Sequence, residues 1–140
     1  MRTDEARSDG FRVLRMRPLA TAELTQGGFE LVEDLRDDGQ GPAIHVHRRS
    51  DEAFYVLAGR FAFTRDDEEL EATPGSLVFI PKGTRHRYRA LQDESRVLIL
   101  YVPAGQFVEF LRELDDLLAS GQTSAEAMAR LQGKYDSDPA

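Results

Sequence analysis

Between Gly27 and Val102 no segment runs far before a turn signal stops it, and this rhythm constrains the fold more than any other feature. The breaks are Asp37-Asp38-Gly39, Ala58-Gly59-Arg60, Thr73-Pro74-Gly75 and Pro81-Lys82-Gly83-Thr84. Glycine supplies the positive φ that tight turns need, and proline fixes φ near the value at which a turn begins. Between the breaks lie short runs that read as strands. Phe29, Leu31, Glu33 and Leu35 alternate at period two, and residues 43–47, 52–57 and 61–64 follow. Residues 77–80 are continuously apolar, as in a buried strand. Next, His86 and Tyr88 share one face, with Arg85, Arg87 and Arg89 on the other, and residues 96–102 close the series. Phe11 to Leu14 reads as a short first strand, and the acidic patch of residues 66–69 as an exposed hairpin turn. About eight short strands spaced by turns predict an all-β, antiparallel sandwich or barrel.

Past Pro103 the period changes. Phe107, Phe110, Leu111, Leu114, Leu117 and Leu118 follow helical spacing, so an amphipathic helix is expected to pack on the β-body until Ser120-Gly121 ends it. Thr123-Ser-Ala-Glu126 has the form of a capping box opening a second helix, with Met128 and Leu131 on its apolar side. Residues 133–140 read as frayed. The chain of 140 residues is expected to form one domain, with a barrel core over about 11–102 and a helical tail over 104–132.

Composition narrows the chemistry. A net charge of −7 argues against nucleic acid as a partner, because phosphate binding wants a basic surface. The absence of cysteine removes disulfides, thiolate ligands and thiol nucleophiles. Residues 1–10 lack the apolar core of a signal peptide, and no window reaches the ~18 apolar residues of a membrane span. A soluble, cytoplasmic protein with no membrane partner is expected. Dimers are the commonest assembly of such proteins, and residues 11–14 could pair across a homodimer interface.

All three histidines fall in two turn-punctuated stretches. His45 and His47 are two apart, so on a strand both imidazoles point the same way, and Glu52 follows five residues later. His86 lies in Gly75-Ser-Leu-Val-Phe-Ile-Pro81-Lys-Gly83-Thr-Arg-His86. Three imidazoles and a carboxylate suit a divalent first-row metal such as Fe, Mn, Ni, Co, Cu or Zn. Two strand histidines can equally be ordinary polar residues; the second stretch tips the balance toward one metal site.

These two stretches resemble the motifs of the cupins. The first, G-x5-H-x-H-x3,4-E-x6-G, is matched by Gly39, His45, His47, Glu52 and Gly59. The second, G-x5-P-x-G-x2-H-x3-N, is matched by Gly75, Pro81, Gly83 and His86, with Ala90 where the family often has Asn. That departure touches a turn or a supporting contact and leaves the ligand set intact. The resemblance covers residues 27–102 and implies a double-stranded β-helix, or jelly-roll barrel, with His45, His47, Glu52 and His86 holding a metal inside. The helical tail is similar to those of small quercetin-dioxygenase-like members. The activity implied is a metal-dependent, dioxygenase-type oxidation of a small aromatic or enolisable substrate. A redox-neutral isomerase, cyclase or lyase, or a non-catalytic small-molecule-binding barrel, would use the same residues.

Parity places Phe54, Val56 and Tyr88 on the inward face with the ligands, and Phe61, Phe63, Phe79 and Leu98 or Leu100 are further pocket candidates, although plain barrel core is the simpler role for each. Tyr88 is expected to donate a hydrogen bond to a bound substrate. Glu52 is expected to act also as a base, its pKa raised by an apolar surrounding. Arg48, Arg49, Arg85, Arg87 and Arg89 flank the ligands and would either steer an anion or pair with acidic neighbours.

Overall fold

The computed structural model of the chain describes residues 15–135 and the backbone of residues 138 and 139. The strand expected at residues 11–14 lies outside the described residues.

In chain order the elements are β1 (Met16–Ala20), a short α1 (Ala22–Thr25), β2 (Glu30–Arg36), β3 (His45–Val46), β4 (Asp51–Ala58), β5 (Phe61–Arg65), β6 (Glu68–Ala72), β7 (Leu77–Ile80), β8 (His86–Ala90), β9 (Ser95–Val102), α2 (Phe107–Ser120), α3 (Ala125–Lys134) and β10 (Asp138–Pro139). Two five-stranded sheets result, ordered β1-β2-β9-β4-β7 and β10-β3-β8-β5-β6, with antiparallel pairing throughout. This is the antiparallel two-sheet architecture the turn rhythm predicts, in the jelly-roll form the resemblance implies.

The core is the set of inward residues on both sheets. Phe54 on β4 meets Phe63 on β5 at 5.0 Å between ring centroids and Tyr88 on β8 at 5.1 Å. Phe61, Val56, Val97 and Ile99 complete a dry interior. An antiparallel sheet may wet its other face, and here that face reverses several parity assignments. On β2 the buried residues are Glu30, Val32 and Asp34, while Phe29 is 38 % exposed and Leu31 and Leu35 are only half-buried. On β7 only Val78 and Ile80 are buried; Leu77 and Phe79 point outward at 63 % and 45 % exposure, so the run is not the wholly buried strand it resembles. On β9 the inward residues are Val97, Ile99 and Tyr101, and Leu98 and Leu100 lie on the outer face.

The tail packs through Val108, Leu111 and Leu114; Leu111 and Leu114 lie on the expected stripe, Val108 does not, and Leu118, also expected there, is 38 % exposed. Gln106 supplies no side-chain cap to α2. Glu30, from β2, does so across the fold: its two carboxylate oxygens accept from the backbone N–H groups of Phe107 (3.1 Å) and Val108 (3.0 Å). Exposed N–H groups at a helix start need acceptors, and a carboxylate there also complements the helix dipole. The cap of α3 is Ser124, whose hydroxyl accepts from Ala127 N, one residue later than the capping box predicts. Nor are residues 133–140 simply frayed, since Tyr135 is buried and β10 pairs with β3, Pro139 opposite His45. In the acidic patch, only Asp66 and Asp67 form the turn; Glu68 and Glu69 begin β6.

Candidate metal centre

The two sequence stretches are tied together by backbone before any ion is considered. Gly83 N donates to His47 O at 2.7 Å and Lys82 N to Asp51 Oδ1 at 2.9 Å. At the other end Gly39 N donates to Ala90 O and Ala90 N to Gln40 O, both at 2.9 Å. Ala90 thus holds the two stretches together through its main chain, with no side-chain amide. Gly59 has φ +76°, and a methyl group there would collide with Ser95.

This framework brings His45 on β3 opposite His86 on β8, with Glu52 reaching in from the facing sheet. One donor atom from each of His45, His47, Glu52 and His86 lies within 4.8 Å of the others. Glu52 Oε1 is 3.2 Å from His47 Nε2 and 2.7 Å from His86 Nε2. Despite that proximity, Glu52 Oε1 and His86 Nε2 are buried without a properly directed hydrogen bond. Buried polar atoms are almost always paired, so two orphans pointing at a common centre fit a shared cation.

The imidazoles are also turned the right way. His45 Nδ1 is 2.7 Å from Ala43 O and His86 Nδ1 is 2.8 Å from Thr84 O. A carbonyl only accepts, so Nδ1 carries the proton and Nε2 keeps its lone pair for the centre. Burial, reinforced by the neighbouring His86 and His47, lowers the His45 pKa to about 4, which leaves the ring neutral at pH 7. For His86 burial acts downward, but the Glu52 carboxylate beside it outweighs it and raises the value. Burial acts upward on Glu52 and is outweighed by His47 and the other two imidazoles, which hold the carboxyl below the usual range. The raised pKa expected for Glu52 is therefore corrected: an apolar surrounding alone would raise it, but three ring dipoles face it.

Beside the cluster is a cavity of about 350 Å³, in the range of small-molecule sites. His45, His47 and Glu52 open onto it, as do Tyr88 and Tyr101. The tail supplies Phe107, Phe110, Leu111, Leu114, Met128 and Gln132. Of the pocket candidates named from parity, Tyr88 lines it, whereas Phe54, Val56, Phe61 and Phe63 are barrel core and Phe79, Leu98 and Leu100 face outward. The Tyr88 hydroxyl donates to Asp34 Oδ2 at 2.5 Å, and burial, with Asp34 beside it, pushes its pKa well above 10. Arg87 and Arg89 are exposed on the outer face of β8, Arg85 just before it and Arg48 and Arg49 are exposed too, and none of the five lines the cavity.

Three groups of residues escaped the sequence. Asp34 and Arg36 were hidden because the period-two pattern of Phe29, Leu31 and Leu35 suggested the wrong inward face; two charged residues at matching parity with Val32 were the available signal. Tyr101 stacks on Phe107 at 4.5 Å and meets the His47 ring edge-on at 5.7 Å. It sits in a continuous apolar run that carries no alternation. The helix residues were legible as apolar, but their partner was not.

Two antiparallel sheets facing each other around an inward His-His-Glu-His cluster define a small jelly-roll protein with a candidate metal site. The family described as Cupin domain matches residues 32–103, about half of the chain, and the chain belongs to that family. Among curated proteins it is 31 % identical over 100 residues to quercetin 2,3-dioxygenase of Bacillus subtilis, covering 71 % of this chain and 29 % of that one. It is 35 % identical over 75 residues to Protein SchB of Streptomyces halstedii, covering 54 % of each. The chain spans half or less of the length of the first curated relatives it matches. Among solved structures, KdgF from Halomonas sp. superposes with TM-score 0.60 at 24 % identity, covering 74 % of this chain and 92 % of that one. Oxalate decarboxylase from Bacillus subtilis superposes with TM-score 0.62 at 21 % identity, over 70 % and 28 % respectively. At these identities the structures speak for the fold. No helix among the described residues is long and apolar enough to cross a membrane.

Proposed function

We propose that the chain is a metal-dependent oxidoreductase of the dioxygenase type, acting on a small aromatic or enolisable molecule. His45, His47, Glu52 and His86 are its metal ligands. The observation that carries the reading is the pair of unsatisfied buried atoms, Glu52 Oε1 and His86 Nε2, in a four-donor cluster opening on a largely apolar cavity. A divalent first-row metal held there would supply a Lewis acid and, with a redox-active ion, a route for electrons to dioxygen. The chain's own residues bind, orient and dry the substrate. Phe107, Phe110, Leu111 and Leu114 exclude water from one side, and Tyr101 offers a flat face beside His47. Tyr88 gives its one hydroxyl proton to Asp34, so toward the cavity its oxygen can accept from a substrate O–H, in place of the donor role expected from the sequence. Glu52 is ionised at neutral pH, ready to hold a cation and only a weak base. Oxygen-electrode assays of the Fe, Mn, Ni and Co forms against flavonols and catechols test this; no oxygen uptake with any metal would sink it.

A redox-neutral lyase or isomerase reaction is the second reading, favoured by 32 % identity over 87 residues to oxalate decarboxylase of Arthroderma benhamiae. Product formed under strict anaerobiosis selects it. The third, a non-catalytic small-molecule-binding barrel, would be selected by tight ligand binding with no turnover in either atmosphere. The reading places the protein in the cytoplasm, and a homodimer belongs to it too. Tyr55, Leu77, Phe79 and Val102 are exposed on the outer face of β7, β4 and β9, where the register puts Tyr55 beside Leu77. An apolar patch of this kind, with Asp51 beside Val102 at its edge, can meet its own copy about a two-fold axis. Sedimentation velocity of the wild type against Leu77→Glu tests the pairing.

A further inference from the structure

One side chain in the cavity wall is out of keeping with the rest. Apart from His45, His47, Glu52, two tyrosines and Gln132, the lining is apolar or backbone, and among the described residues Arg36 is its one Arg or Lys. Arg36 stands at the end of β2, with its side chain only 14 % exposed. Its Nε donates to both oxygens of Asp34, at 2.9 and 2.8 Å, and Asp34 is wholly buried. The guanidinium carbon lies 5.9 Å from the centroid of the Tyr88 ring, a cation–π distance. Tyr88 also donates to Asp34, so two linked side chains, Asp34 and Tyr88, fix the plane of the guanidinium.

The same arginine reaches a second space. A hollow of about 440 Å³ on the outside is lined by Arg15, Arg36, Gly39, Gln40 and Gly41, and Arg36 and Gly41 are shared with the inner cavity. Arg36 thus forms part of the wall between the hollow and the cavity. Arg15 at that mouth is ion-paired with Asp37 at 2.8 Å, which leaves Arg36 as the cation on the shared wall that an entering anion meets.

We propose that Arg36 is a binding residue for the carboxylate of the substrate, which makes that substrate a small organic acid whose apolar or aromatic body fills the cavity. Asp34 rests on Nε, and the Nη end of the guanidinium provides the planar fork that matches a carboxylate. Asp34 is the positioning residue: it orients the fork and offsets the cost of burying the cation. This proposal rests on the functional reading above for the identity of the cavity.

Isothermal titration calorimetry tests it, using benzoate, 4-hydroxybenzoate and phenylacetate against their neutral amides, with zinc content measured on the same samples. The zinc-loaded wild type should bind at least one acid about tenfold or more tighter than its amide. Arg36→Met combined with Asp34→Asn, which avoids a stranded buried charge, should reduce that ratio to near one, and Arg36→Lys should keep part of it. An acid preference that survives in the double variant overturns the proposal, as does a wild type that binds acid and amide alike or binds neither. Metal-free wild type separates the two ideas. Acid preference kept in the metal-free protein, and lost in the metal-free double variant, supports Arg36 even if the protein takes up no zinc. Preference that needs zinc and ignores Arg36 places the carboxylate on the metal and refutes it.

Discussion

Replacing Glu30 by alanine should cost the protein about 2–4 kcal/mol. Its carboxylate accepts from two backbone N–H groups at the start of α2, and it is 1 % exposed. Loss of a helix cap typically costs about 1 kcal/mol, and a hydrogen bond to a charged group contributes roughly 1.5–3 kcal/mol. The two contributions overlap and are not summed in full. With a urea dependence of about 1–3 kcal/mol per molar, the midpoint followed by far-UV circular dichroism should fall by about 1–2 M. Glu30→Gln should fall less, because one acceptor remains. The two variants also separate charge from geometry. Burial pushes the Glu30 pKa above 4.5, only partly offset by the Val108 and Phe107 N–H groups, and Glu109 adds to the rise. The folded state therefore holds this proton more tightly than the unfolded chain does. The resulting contribution to stability is complete below about pH 4.5 and is lost as pH rises through the folded value. The deficit of Glu30→Gln relative to wild type should accordingly be smaller at pH 7 than at pH 4. A midpoint for Glu30→Ala within about 0.2 M of wild type, with unchanged slope, would refute the claim that β2 anchors the tail through this residue.

His86→Ala should bring zinc content, measured by mass spectrometry after dialysis, from near stoichiometric to background; unchanged occupancy would remove His86 from the ligand set. Tyr88→Phe keeps the ring packing but takes one donor from buried Asp34, so stability should fall by about 1–2 kcal/mol in urea melts. If the hydroxyl also serves a substrate, the same variant should lose turnover beyond what unfolding explains. Gly59→Ala combines a positive φ with a collision against Ser95, and should lower thermal stability by about 2–4 kcal/mol. A silent substitution there would mean that the loop joining β4 to β5 can relax away from Ser95.

The donor cluster was legible because its residues are short-range signals: His45-x-His47 share a face by strand geometry, and the Gly and Pro positions around His86 have backbone reasons to exist. The wall was not, for reasons that differ by element. In β2 three large apolar residues at odd positions look like a core face, yet they are the outer face of a sheet whose interior holds Glu30 and Asp34. Glu30 finds its donors far along the chain at Phe107 and Val108, and Asp34 adds the distant Tyr88 to its neighbour Arg36; no local pattern announces partners that distant. In β7 and β9 unbroken apolar runs carry no alternation, so parity could be chosen either way. The exposed Leu77 and Phe79 show that such a run need not be buried on both faces.

The cavity draws its walls from two parts of the chain that the family relationship treats differently. The donors, Tyr88 and Tyr101 lie within residues 32–103, which the cupin family shares, whereas Phe107, Phe110, Leu111, Leu114, Met128 and Gln132 lie beyond them. Reagents for chemistry and the mould for shape can therefore change independently. Substitutions along α2 and α3 could resize the chamber while leaving every donor atom in place, and two relatives with matching ligands could accept quite different molecules. Here the tail shapes the body of the chamber, while Arg36 on β2 is the proposed anchor for a carboxylate.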